Sequence, residues 1–257
     1  MTTRPDIELA SLSDVGCQRT ANEDYCLYCE PPDDAEFAKR GRLLLVADGM
    51  GGHSGGSTAS RLAAQVVRDV FLSSTAQGAQ AVLIEAFGEA HRSILSLARR
   101  TAELKGMGTT CSAAILRGAE LSVGHIGDSR LYLIRDRHAT QLTRDHTVAS
   151  ELVRCGLISV AEARTHDGRT VLTAALGAES PMVSAEFSAA ATRLKPGDIL
   201  LLCTDGLHGS VEEREMESIT SAQAPLEASR ALVQLAKSRG GPDNITVQLL
   251  RIREIAA

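Results

Sequence analysis

Two apolar runs in this 257-residue chain end the same way. "RLLLVAD" closes on Asp48 before Gly49, and "DILLLCTD" closes on Asp205 before Gly206. Short apolar runs bounded by turn signals read as buried strands, so each of these carries a carboxylate to the end of a core strand. Two more aspartates stand at strand–turn boundaries: Asp128 in "VGHIGDSR", and Asp243 in "GGPDN" just before the last strand, "NITVQLLRI". The ends of buried strands can converge on one rim. Carboxylates gathered there repel and raise one another's pKa values, and the cluster is stable only with something positive between them. All-oxygen donors suit Mg2+ or Mn2+ rather than Zn2+. Read singly, each aspartate is a turn residue; four at such boundaries point to a metal site.

The stretch "VADGMGGHSGGS" places five glycines within eight residues after Asp48. A phosphate-cradling Walker loop needs a Lys after its glycines, and none follows here. The glycines instead let backbone approach an ion closely enough for a carbonyl to serve as a ligand. In "GDSR", Ser129 lacks the G-x-S-x-G setting, and "RLYLIRD" after it reads as strand rather than the helix of a nucleophile elbow. A serine hydrolase therefore ranks below the metal reading. Arg19, in "DVGCQRTANEDY", could grip a phosphate bidentately. Its local sequence alone favours a solvated surface Arg paired with Glu23.

Composition narrows the partners. Aromatic residues are 3 % and Trp is absent, so the core must be Leu, Val, Ile and Ala. Stacking platforms for single-stranded nucleic acid are missing, and a net charge of −5 offers no basic footprint. The N-terminus lacks a signal-peptide core and no apolar run is long enough for a bilayer. The expectation is a cytoplasmic protein that binds neither membrane nor nucleic acid. Cys26 and Cys29 form a C-x-x-C without a second pair, and read as strand residues rather than a zinc or redox motif.

Along the chain, Ile7–Asp14 and Tyr25–Glu30 read as strands, residues 31–41 as a polar loop, and 54–73 and 79–100 as helices. Residues 108–143 form a meander of antiparallel strands. Residues 144–181, with short helical pieces, read as a flap-like insertion. Helices near 212–220 and 226–238 precede the final strand. Runs of antiparallel strands with paired helices between them predict an α+β fold with helices covering sheet faces, and a doubly wound parallel sheet is the weaker reading.

Taken in order, "SDVGCQRTANEDY", "LLLVADGMGGHSGG", "MGTTCSAAIL", "VGHIGDSRLYLIRD", "LTRDHT", "TAALGAE", "LKPGDILLLCTDGL" and "GGPDNITVQLL" span nearly the whole chain. The set resembles the metal-dependent Ser/Thr protein phosphatases of type 2C, in their compact bacterial form. The resemblance implies one phosphatase domain over 1–257 with a flap at about 144–181. Its fold would be an α-β-β-α sandwich of two central antiparallel sheets flanked by helices. It implies two Mn2+ or Mg2+ ions bridged by Asp48, with the Gly49 carbonyl on one and Asp205 and Asp243 on the other. Glu23 and Asp24 would act through metal-bound waters, Arg19 would grip the phosphate, and Asp128 would help hold a weaker third ion. The implied reaction is hydrolysis of phosphoserine and phosphothreonine in phosphoproteins by a bridging hydroxide, reversing a Ser/Thr kinase. The rival is a catalytically weak module that binds phosphoproteins or kinases. Three positions depart from the family pattern: Met50 where many eukaryotic members have His, Ala174 in place of an Arg, and Gly209 in place of a carboxylate. With Met50 there, His53 is the nearest candidate proton donor in sequence, read here as structural.

Overall fold

The computed structural model describes residues 3–51, 55–178 and 184–255. The first part of the chain forms β1 (Ile7–Asp14), β2 (Asp24–Cys29), α1 (Asp34–Arg40), β3 (Arg42–Met50), α2 (Gly55–Ser73) and α3 (Ala79–Arg100). The meander follows as β4 (Gly108–Thr109), β5 (Cys111–Arg117), β6 (Glu120–Ile126), β7 (Arg130–Arg135) and β8 (His138–Gln141). Short elements come next: α4 (Val148–Arg154), α5 (Val160–Ala163), β9 (Leu176–Gly177), β10 (Glu186–Phe187) and β11 (Thr192–Arg193). The chain ends with β12 (Ile199–Cys203), α6 (Asp205–His208), α7 (Glu213–Ala222), α8 (Pro225–Ser238) and β13 (Ile245–Ile252).

Two antiparallel sheets result. One runs β1-β13-β12-β7-β8; the other runs β10-β6-β5-β3-β4-β9, with β2 also on β3 and β11 also on β6. Side chains alternate across a strand with period two, and the central strands are apolar at both parities. In β3, Leu43, Leu45 and Ala47 pack with Ala63, Val67, Phe87 and Ile94 of α2 and α3. Leu44 and Val46 face the other way, toward Leu200, Leu202 and Leu250 of the second sheet. From that sheet Leu201, Cys203, Val247 and Leu249 turn outward onto Met216, Leu232 and Val233 of α7 and α8. Three apolar layers therefore separate four structural ones, and the α-β-β-α sandwich follows from strands that are buried on both faces.

Cys26 joins the layer between the sheets and Cys29 the layer under α2. Three residues apart on one strand, they point to opposite faces, and both are free thiols. The stretch 31–41 holds helix α1 rather than only a loop. Its signals were local: Asp33 accepts a hydrogen bond from the Glu36 amide at 2.9 Å, acidic residues fill the first turn, and Lys39 and Arg40 fill the last. The Arg4 and Arg42 guanidinium carbons lie 4.0 and 4.9 Å from the Phe37 ring centre.

One buried polar side chain ties the sheets together. Gln248 of β13 is fully buried. Its Oε1 accepts from the Leu45 amide, and its Nε2 donates to the Leu27 carbonyl, each at 3.2 Å. Leu27 and Leu45 face each other across the β2–β3 ladder, so the amide serves two strands of the opposite sheet. Leaving a buried backbone group without a partner costs about 1–3 kcal/mol. Gln248→Leu is expected to lower stability by about 2–5 kcal/mol, measured by urea unfolding with metal chelated. A loss under about 1 kcal/mol would mean that the opposed strands close the gap themselves.

Candidate active site

Antiparallel register carries the aspartates to one end of the gap between the sheets. In the β2–β3 ladder Asp24 stands directly opposite Asp48. Two residues back on each strand, Cys26 and Val46 face the inter-sheet layer, so both carboxylates open onto the same gap at its rim. In the other sheet, Cys203 pairs with Val247 of β13 and with Arg130 of β7. That register brings Asp205 just after β12, Asp243 just before β13 and Asp128 just before β7 to the same end. Like charges directly opposite on a ladder are destabilising. Here Asp24 and Asp128 are also nearly fully buried.

Burial and mutual repulsion raise these acids above the usual carboxylate range. Burial, then repulsion from Asp24, Asp205, Asp128 and Asp243, holds Asp48 well above the usual carboxylate range. Burial, with Asp205 and Asp145 adding to it, pushes Asp128 up to about 8. Burial pushes Asp24 up to about 7, against the opposing bonds of two threonine hydroxyls. Asp205 is also raised, by burial and then by Asp243. Of its two oxygens, Asp24 uses Oδ2 to accept from Thr204 at 2.8 Å. Asp24 Oδ1 and Asp205 Oδ1 are buried with no hydrogen-bond partner among the described residues. Free buried carboxylate oxygens beside a crowded set of like charges are what a hard cation would satisfy, so the donor set fits Mn2+ or Mg2+.

Arg19, Glu23, Asp48, Gly49, Asp128 and Asp205 line a cleft of about 790 Å³, and Asp24 and Asp243 stand outside that lining. Among the described residues no group of three or more His, Cys, Asp and Glu side chains meets the spacing of a metal-ligand set. Thr170, Leu172, Thr173, Ala174, Ala175 and Ala178 also line the cleft; of the segment 144–181, residues 179–181 lie outside the described residues.

Backbone anchors fix Asp48. Its carbonyl accepts from the Thr109 hydroxyl and the Thr110 amide, and its amide donates to Thr110 Oγ1, each at 2.9 Å. The Asp48–Gly49 pair lies within β3, and the chain bends only after Met50. Glycine is required at both Asp-Gly pairs by close backbone approach. A Cβ on Gly49 would meet the Gly56 carbonyl oxygen at 2.1 Å, and one on Gly206 the Asn244 carbonyl oxygen at 1.9 Å.

Arg19 does not pair with Glu23 in the way its local sequence suggested. Its Nη2 lies 2.7 Å from Asp243 Oδ2, across 224 positions of sequence. Glu23 lines the cleft with its backbone held on both sides: the amide donates to Asn244 Oδ1 at 2.8 Å, and the carbonyl accepts from Ser60 Oγ at 2.6 Å. Ser129 is fully buried and bonded to Thr110 Oγ1 at 2.7 Å, which removes it as an exposed nucleophile. Met50 and Ala174 line the cleft. A Cβ at Gly209 would sit 2.8 Å from the Asp205 carbonyl oxygen, so a carboxylate there would press on the backbone of Asp205. His53 lies outside the described residues. Thr110, Thr204 and Asn244 were missed as site residues. Asn244 adjoins Asp243 and could have been suspected; the two threonines carry no local signal.

Comparison with known proteins bears on the family and the fold. The family described as Protein phosphatase 2C matches residues 19–238. A serine/threonine phosphatase, stp, of Listeria monocytogenes is 37 % identical over 213 residues, covering 81 % of this chain and 83 % of that one. The crystal structure of the Mycobacterium tuberculosis serine/threonine phosphatase PstP superimposes with a TM-score of 0.85 at 32 % identity, over 96 % of this chain and 99 % of that one. A structure of the PstP catalytic domain in complex with two manganese ions gives a TM-score of 0.81 at 31 % identity, over 96 % and 99 % of the two chains. With the family match over residues 19–238 and the shared sandwich in agreement, the chain belongs to the protein phosphatase 2C family, in its bacterial serine/threonine form.

Proposed function

We propose that this serine/threonine phosphatase removes phosphate from phosphoserine and phosphothreonine in phosphoproteins through a dinuclear Mn2+ or Mg2+ centre. The observation that carries the proposal is the opposed pair Asp24–Asp48, with Asp205 and Asp128 crowding the same rim. Asp48, the Gly49 carbonyl, Asp205 and Asp243 would hold the two ions, with Glu23 and Asp24 behind water. When bound, the ions supply an activated water and a positive clamp on the phosphoryl oxygens. Thr109 and Thr110 keep Asp48 in place, and the Thr204 hydroxyl turns Asp24 by one oxygen and leaves the other free. Arg19, half-exposed at the cleft mouth, orients the phosphate. Met50 has no proton to give, so the proton for the departing Ser or Thr oxygen would come from water or from another residue of the cleft. Asp128, beside Asp205, would share a third and weaker ion. Residues 144–181 would act as a flap over the substrate, and a Ser/Thr kinase would supply it. Asp48, Asp205, Asp243 and Arg19 meeting at one rim weigh against a merely binding module.

The direct test is hydrolysis of a phosphothreonine peptide and p-nitrophenyl phosphate with EDTA, Mg2+ or Mn2+. Turnover in EDTA equal to that in Mn2+, or none in any metal, would overturn the proposal. Arg19→Ala is expected to raise KM for the peptide about tenfold and to lower kcat less than about threefold, because a phosphate grip binds ground and transition states alike. A collapse of kcat at fixed KM would assign Arg19 to the transition state instead.

A further inference from the structure

We infer that Asn244 is a positioning residue that sets Arg19 for phosphate by closing the loop that carries it. This rests on the phosphate-binding role proposed for Arg19. Residues 15–23 contain neither helix nor strand, so no ladder fixes Arg19. Asn244 grips both sides of this loop. Its Nδ2 donates to the Val15 carbonyl at 3.0 Å and to the Ala21 carbonyl at 2.9 Å. Its Oδ1 accepts from the Glu23 amide at 2.8 Å. Both amide protons are thereby used, and the residue is nearly fully buried.

The anchor itself cannot drift. The Asn244 backbone N–H donates to Asp243 Oδ1 at 2.8 Å, the carboxylate whose other oxygen holds Arg19. On its far side, the Asn244 carbonyl packs on Gly206 so closely that a Cβ there would stand 1.9 Å away. One side chain therefore joins the start of the loop, its end and the acid that pairs with Arg19. An arginine held on a closed loop meets phosphate without first ordering its own backbone, which is where affinity is lost when a binding loop is free. Shape alone does not explain the choice of residue: an apolar side chain of the same size could fill the space, but only a two-proton donor satisfies two carbonyls at once.

The test is a double-mutant cycle on the affinity of inorganic phosphate, measured by calorimetry on the Mn2+-saturated chain. Asn244→Ala is expected to weaken phosphate about tenfold in the parent. In the Arg19→Ala background the same substitution is expected to change affinity less than about twofold. Equal losses in both backgrounds, or none in the parent, overturn the inference, because a packing role would act with or without Arg19. If Asn244→Ala does not fold, Asn244→Ser, which keeps one donor, is put through the same cycle with a smaller expected loss. A parent that neither hydrolyses the phosphopeptide nor binds phosphate refutes the proposed function itself. An active parent with an additive cycle refutes only the role of Asn244.

Discussion

Asp205→Asn is expected to lower turnover about a thousandfold at ordinary Mn2+ while making the metal-free chain more heat-stable. A bound ion contributes several kcal/mol of charge stabilisation in the transition state, and each 1.36 kcal/mol is a factor of ten in rate. The amide keeps one oxygen donor but removes a charge that a divalent ion needs. The stability effect has the opposite sign for the same reason. With metal removed, Asp205 is a buried acid crowded by Asp243, one of its oxygens without a partner among the described residues. An amide removes that repulsion and can donate toward Asp48. The two readouts are kcat with Mn2+, and Tm in EDTA with and without added Mn2+. The variant should show a higher Tm in EDTA and a smaller rise on adding Mn2+. Near-parental kcat would remove Asp205 from the ligand set. A lower Tm in EDTA would mean that Asp205 stabilises the fold on its own account.

Heat stability without metal should fall between pH 6.5 and 8, and Mn2+ should abolish or reverse that fall. Asp24 and Asp128 titrate near 7 and 8 in the folded chain against 3.8 for an ordinary aspartate. A carboxyl group raised on folding binds protons more tightly in the native state. Its stabilising contribution is complete below pH 3.8 and is lost as pH rises through the folded value. His125 and His208 act in the opposite direction. Burial lowers both to about 3 from 6.5, so their contribution is present above 6.5 and lost as pH falls. Below pH 6.5 the two groups of residues oppose each other; above it only the acids remain, and the slope is negative. Mn2+ competes with those protons and binds more tightly as pH rises. Thermal scans in EDTA and in Mn2+ at pH 6.5, 7.25 and 8 are the measurement. A Tm in EDTA that stays level or rises over this window would show that the acids are already ionised in the metal-free fold.

Much of the local structure was readable in order. β1, α2 and α3 fall within about a residue of their expected bounds, because each has a single strong period and clear punctuation. The helix at 34–40 was missed although its cap was in view, since an amphipathic stretch of seven residues is too short for periodicity to outweigh a run of Pro and Asp. The pairing of Arg19 was misread for a different reason. A neighbour four positions away looks like the natural partner, but residues 15–23 form no helix, so spacing along the chain says nothing about spacing across the fold.

The aspartates mark the boundary between the two kinds of information. Sequence alone determined that each ends or begins a buried strand, because apolar runs and glycine punctuation are local properties. It also determined that all-oxygen donors would favour a hard ion. Only the tertiary structure decided that they meet. That outcome depends on ladder register: Asp24 faces Asp48 because β2 and β3 pair residue for residue along six positions, and a slip of one would turn either carboxylate to the helix side. It depends equally on the facing sheet, where β12 and β13 run in opposite directions so that Asp205 and Asp243 emerge at the same end. The hydroxyls that hold these acids and the side-chain amide that closes the Arg19 loop, Thr110, Thr204 and Asn244, lie 62 to 229 positions from their partners. A hydrogen bond is set by distances of about 3 Å in space, and nothing in the order of residues along the chain fixes that distance until the two sheets pack.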